Sequence, residues 1–257
     1  MAKWTAFPYD NADYSHSAAA LKKHWARLHA GDAEPLPKEA AVLEAWALFH
    51  AGEFRKAADA GLKAGGAGLT VANKAQSIYA NYLEKSEKTK LELFQEVAER
   101  AEAQAAAEPK NANAHYFMAY ALGRYSQGIS VAKALAQGLG SKVKGALETT
   151  IQLSPKHADA HIALGAFHAE VIDKVGKLLG RTQGADTATG LKMFQTALKL
   201  NPTSAIAMVE YANGLVMLEG DKKMKEATRL YEQAAACEPL DAMERLDVEM
   251  AKAELED

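Results

Sequence analysis

Leu147-Glu148-Thr149-Thr150-Ile151-Gln152-Leu153-Ser154-Pro155-Lys156-His157-Ala158-Asp159-Ala160-His161-Ile162-Ala163-Leu164-Gly165 is the stretch that decides the fold. Pro155 stops a helix, because proline lacks the amide donor and pushes the residue before it out of the helical region. Large apolar residues, Leu147 and Leu153, stand eighth and second before that stop, and small ones, Ala158 and Gly165, stand third and tenth after it. The pattern returns around Pro202 with Phe194 and Leu200 before and Ala205 and Ala212 after. Its upstream half precedes Pro239 as Tyr231 and Cys237. Its downstream half follows Pro37 as Ala40 and Ala47, and Pro109 as Ala112 and Ala119. Small residues recur where helices approach closely and large ones where a helix is clamped, so each unit is helix, turn, helix, proline stop.

Composition agrees with helix throughout. Alanine is abundant, leucine, glutamate and lysine fill much of the rest, prolines number 7, and runs of Val, Ile or Thr that would build strands are few. No sheet is expected. The length fits one continuous solenoid, since stacked repeats grow without a single globular core. Net charge is −3 and pI about 6.3, which argues against a nucleic-acid-binding surface built on clustered Lys and Arg. From Glu238 to Asp257 there are eight acids against Arg245 and Lys252, an acidic last helix that reads as a solvated face. Cys237 is the single cysteine, so no internal disulfide forms. The start, Met1 to Asp10, has no apolar signal core, and no apolar run is long enough to enter and cross a bilayer. The expectation is a cytoplasmic protein, or a periplasmic one if a signal peptide has been removed.

These repeats resemble the tetratricopeptide repeat (TPR), with its small residue in helix A, its small and aromatic positions in helix B, and its terminal proline. The resemblance runs from about residue 37 to 250. In the first unit Gly52-Glu53-Phe54-Arg55-Lys56-Ala57 looks like the turn into helix B, and a further pair at roughly 70 to 84 and 87 to 107 lacks the proline start. The resemblance implies an all-α fold, an α-solenoid of antiparallel helix pairs. Residues 1–36 then form an N-terminal arm and capping helix, and 37–257 the solenoid ending in the acidic helix.

Proline spacings of 46, 47 and 37 exceed the usual period of 34. The extra residues fall between helices A and B, so the hairpins are elongated. In one, the turn at Gly138-Leu139-Gly140-Ser141 comes late, and helix A is expected from Asn111 to about Gln137, roughly 40 Å, with Gly123 and Gly128 able to kink it. In the next, the turn is Arg181 to Asp186 and helix A is expected from Ala158 to about Gly180. The tips carry Ile129, Val131, Leu135 and Leu139 on one and Val171, Val175, Leu178 and Leu179 on the other. They read either as packed on each other or as an apolar pocket or oligomer contact. Stretched hairpins and the string Leu122-Gly123-Arg124-Tyr125 are similar to bacterial TPR proteins associated with substrate-binding transporters and to the animal regulators of microtubule dynamics.

In the family, the fourth, seventh, eleventh and fifteenth residues after the proline line a concave groove. The resemblance therefore puts Asn113, Tyr116, Tyr120 and Arg124 there, then Asp159, Ile162, Ala166 and Glu170, then Ile206, Val209, Asn213 and Met217. Only Asn213 matches the Lys and Asn pattern of a clamp for acidic C-terminal peptides. The groove suits an apolar or helical segment, with Arg124 and Glu170 orienting it through charge-assisted bonds. The expected binding residues are Tyr116, Tyr120, Arg124, Ile162, Glu170, Val209 and Asn213. The groove is either open or filled by the chain's own last helix, about Asp241 to Glu254, or by the arm with Trp4, Phe7, Pro8 and Tyr9.

Catalytic constellations are not found. His157 and His161 share a helical face and sit near His168 and Glu170, but further zinc ligands are not placed, and His161 repeats the packing position of His115. Gly138-Leu139-Gly140 and Gly176 to Thr182 follow no strand and lack the spacing of a phosphate loop. The expectation is a non-catalytic scaffold needing no cofactor or metal and binding a protein or peptide. The alternative is a carrier of an apolar small molecule held near Leu135, Leu139, Val175 and Leu179, and a third reading is a subunit that self-assembles as a homo-oligomer.

Overall fold

The computed structural model describes residues 4–256, so the first three residues of the expected arm and Asp257 lie outside the described residues. Among the described residues there are thirteen α-helices, two short 3-10 turns and no strand. Two compact units divide the chain. The first takes Met1–His29, Glu34–Leu139 and Leu240–Met243; the second takes Ala30–Ala33, Gly140–Pro239 and Glu244–Asp257.

The first unit contains α1 (Ala18–Leu28), α2 (Ala40–His50), α3 (Phe54–Ala64), α4 (Gly68–Tyr82), α5 (Glu87–Ala107), α6 (Ala112–Gln127) and α7 (Val131–Ala136). From α1 to α6 each helix packs on the next in the chain. Hydroxyl and amide caps fix the starts: Ser17, Ser86 and Asn111 accept from the amides of Ala20, Thr89 and Ala114. Trp46, Phe49, Tyr79 and Leu21 are buried at the centre. Gly61 and Gly68 let α3 and α4 touch through their backbones, for a Cβ on Gly61 would lie 2.5 Å from the Gly68 carbonyl oxygen.

The pair that lacks a proline start is present as α4 and α5, and its weak sequence signal has a cause. Helix α4 buries polar residues along with apolar ones: Thr70, Asn73, Lys74, Gln76 and Ser77. Most bond across to α5. Asn73 Nδ2 donates to Gln104 Oε1, Gln104 Nε2 to Thr70 Oγ1, and Arg100 donates to Asn73 Oδ1 at 2.6 Å and Gln76 Oε1 at 3.0 Å. A helix held by such a network shows no clean apolar stripe.

The N-terminal arm packs on α3 and α4. Trp4 stacks on Tyr79 with centroids 4.1 Å apart, Arg55 lies over the Trp4 ring, and Phe7 meets Phe54 edge-on. Gly52, at φ +79°, accepts Phe7 at a distance where a Cβ would sit 2.8 Å from Cγ.

The second unit contains α8 (Leu139–Leu153, all but its first residue), α9 (Ala158–Thr182), α10 (Thr187–Leu200), α11 (Ala205–Glu219), α12 (Met224–Ala235) and most of α13 (Ala242–Glu256). Helix α9 packs on α10 and α11, and α11 on α12. Here the repeat's large and small positions meet. The fully buried Phe194 ring of α10 lies between Gly165 of α9 and Gly214 of α11, where added Cβ atoms would stand 2.9 and 2.3 Å from it.

The hairpins are longer than the usual repeat, but neither expected long helix is continuous. Helix α6 ends at Gln127 instead of running to Gln137. Leu91 of α5 presses where a Gly128 side chain would be, and extended Ser130 then starts α7 by accepting from the Lys133 amide. Gly176 breaks α9, with φ +78° and ψ 163°. Glycine alone enters that region without strain.

Candidate functional site

Helix α6 places Tyr116, Tyr120 and Arg124 in a line. The Tyr116 and Tyr120 rings are 6.0 Å apart, the Arg124 guanidinium lies 5.4 Å over the Tyr120 ring, and Phe94 of α5 backs Tyr120 edge-on at 6.4 Å. Tyr116 is buried, while Tyr120 and Arg124 are half-exposed. The arrangement is a ladder of two tilted tyrosine rings with a cation–π contact at its end, and its outer two members reach solvent. Asn113, one turn earlier, is buried and donates from Nδ2 to Glu34.

In the second unit the expected groove residues divide. Ile162 and Val209 are buried, and Val209 belongs to a cluster with Ala205, Ala234, Val248 and Ala251, the last two from α13. Packing by the last helix thus occupies Val209. Glu170 is half-exposed and pairs with Lys174 at 3.5 Å. Asn213 Oδ1 accepts from the Tyr231 hydroxyl at 2.6 Å, and burial, with Glu254 and Glu210 nearby, pushes that phenol up to about 12. Of the alternative pocket residues, Leu135 and Leu139 belong to the first unit and Val175 and Leu179 to the second. Leu139 is buried, Val175 is half-buried, and Leu135 and Leu179 are exposed.

The histidines singled out in the sequence each have a structural partner. His157 caps α9 through Nδ1, which accepts from the Ala160 amide. His161 Nε2 meets the Pro155 carbonyl at 3.1 Å, and His115 repeats the same contact with Pro109, so this is a property of the repeat. His168 Nδ1 accepts from the Asp186 amide at 3.0 Å. Burial, helped by Lys144, holds the His168 imidazole below its ordinary 6.5, against the opposite pull of Asp186 and Glu148. A histidine depressed in the folded state supports folding above about pH 6.5 and withdraws that support as pH falls below it. His168→Gln, which keeps an acceptor without titrating, is expected to flatten the fall of melting temperature between pH 7 and 5.

One buried constellation had no sequence signal. His50 Nδ1 donates to Asp241 Oδ2 at 2.6 Å, and His50 Nε2 faces His29 Nε2 at 3.3 Å, all three residues being buried in the first unit. Trp25 stacks on His29, Trp46 on His50, and Lys74 lies over the Trp46 ring. His50 and Asp241 are 191 residues apart, so no local pattern could pair them.

A family model described as regulator of microtubule dynamics protein 1-3 matches residues 69–257. A thermophilic TPR protein from Thermus thermophilus is similar in structure, with a TM-score of 0.59 and 16% identity, over 83% of this chain and 97% of that one. That likeness shows the fold, an all-α TPR-like α-solenoid class. No curated protein matches. Among the described residues no helix is long and apolar enough to cross a membrane.

Proposed function

Because the chain belongs to the regulator of microtubule dynamics protein 1-3 family, we propose that it is a non-catalytic protein-interaction scaffold that holds a peptide or helical segment of a protein partner. The observation that supports this most is the ladder on α6. Tyrosine and arginine are among the side chains enriched as interface anchors, and here Tyr120 is braced by Tyr116 and Phe94 and Arg124 by its cation–π contact with Tyr120, while both stay half-exposed. Tyr116 supports them from below. In the second unit, Glu170 and Asn213 offer polar contacts of their own, while Ile162 and Val209 serve packing. Since the family's description names microtubule dynamics, polymerised tubulin is the first partner to test.

Tyr120→Ala is expected to weaken co-sedimentation with the partner by about tenfold or more, with melting temperature nearly unchanged. The same assay with Arg124→Ala should show a smaller loss. Undiminished capture by the double variant sinks this assignment of the site.

A further inference from the structure

Leu178 and Leu179 are the most exposed large apolar pair in the described chain, at 80% and 59%. Single exposed leucines are ordinary, but two adjacent ones at a hairpin tip are not. Their orientation has a local cause. Gly176 breaks α9, so the residues after it do not continue the buried face of Ile172. Gly180 then turns inward against Ile172, where a Cβ would be 3.2 Å from Cγ1, and Ala185 is buried beside it. With position 180 inside, positions 178 and 179 face out.

Two cations flank the leucine pair. Lys177 and Arg181 are exposed, one helical turn apart, and have no ion pair among the described residues. Lys174, exposed, and Lys144, half-exposed, are paired with Glu170 and Glu148, and Lys144 runs alongside Gly184 at the turn. Of the nearby acids, Asp173 is exposed, and Asp186 is engaged by the amide and hydroxyl of Thr189, which hold its carboxyl below the usual range. The exposed apolar pair is thus flanked by Lys177 and Arg181, while the other nearby cations, Lys174 and Lys144, are neutralised by Glu170 and Glu148.

We propose that the α9 tip docks on an anionic lipid surface, inserting Leu178 and Leu179 into the interfacial layer while Lys177 and Arg181 meet the headgroups. A bilayer interface accepts a protruding apolar tip, and anionic headgroups attract the cations that flank it. An acidic protein surface would use the cations but leave the convex leucine pair without a cavity. The preceding repeat carries the same chemistry in its own insertion: α7 buries no residue and exposes Val131 and Leu135 around Lys133. This is peripheral docking, compatible with the lack of a membrane-crossing helix among the described residues.

The test is sedimentation of the full chain with vesicles of phosphatidylcholine alone and of phosphatidylcholine with phosphatidylserine. Binding to the anionic vesicles only is expected. Leu178→Ser with Leu179→Ser should reduce it about tenfold or more, and Lys177→Glu with Arg181→Glu should abolish its salt dependence. Both leucines are exposed, so the melting temperature should not move. Leu178→Trp gives a gain of signal: its emission should shift to the blue with anionic vesicles. A chain that stays in solution with both vesicles, a leucine variant that binds as well as the wild type, an unshifted Trp emission, or preference for soluble polyglutamate over vesicles each overturns the proposal.

Discussion

Phe194→Ala is expected to destabilise the second unit by about 4 kcal/mol, among the largest single-residue effects in the chain. The ring is fully buried, stacks on Tyr211 with centroids 5.4 Å apart, and fills the space that Gly165 and Gly214 leave on the facing helices. Removing it opens a cavity walled by backbone, which collapses poorly because neither glycine has a side chain to offer. The reciprocal change, Gly214→Val, is expected to lower stability as well, since even a Cβ there falls 2.3 Å from the ring. The two compact units need not unfold together, so a single melting curve can mislead. Native-state hydrogen exchange resolves the question: amides of α9, α10 and α11 should lose protection, while those of α2 and α3 should not. Uniform loss across the chain, or no loss, contradicts the account.

Asp241→Ala is expected to destabilise the first unit by about 3 kcal/mol. The carboxylate accepts the His50 Nδ1 proton in a site where both side chains are almost wholly shielded from water. Only one proton fits between the two Nε2 atoms 3.3 Å apart, so the carboxylate fixes which imidazole nitrogen donates along the whole row. Without it the His50 donor is stranded beside aromatic rings, and an unpaired buried donor is costly. His16 is sensitive to the same place, for burial and the nearby His50 and His24 hold its imidazole below 6.5. Exchange at α1 and α2 should report the loss, and Asp241→Asn, which keeps an acceptor oxygen, should recover part of it. Equal protection in Asp241→Ala and the wild type would show that packing alone seats the Leu240–Met243 segment.

Much of the architecture was written in local pattern. The proline stops, the large residues before them and the small ones after them specify helix pairs, and Phe194 against Gly165 is that pattern realised as contact. The shared contact of His115 and His161 with the carbonyl of the repeat's proline has the same origin. The ends of the long hairpins were less legible. Gly128 and Gly176 each had a helical alternative in the sequence, and the Leu91 side chain that fills the space beside Gly128 comes from another helix, beyond any local pattern.

For the candidate site the division is similar. Offsets from the proline brought Tyr116, Tyr120 and Arg124 to one helix face, since positions three and four apart are neighbours on a helix. The same offsets could not tell that Val209 would be covered by Val248 and Ala251, because burial depends on what arrives from elsewhere in the chain.

By itself, then, the sequence determined the elements: all-helical structure, the repeat, and which residues clamp and which give way, all of it information carried within a few helical turns. Only the tertiary structure decided that α4 is a buried polar helix, that Asp241 closes on His50, and that Leu178 and Leu179 stand outside. Those outcomes depend on burial, and burial is set by non-local contacts whose partners no short-range spacing records.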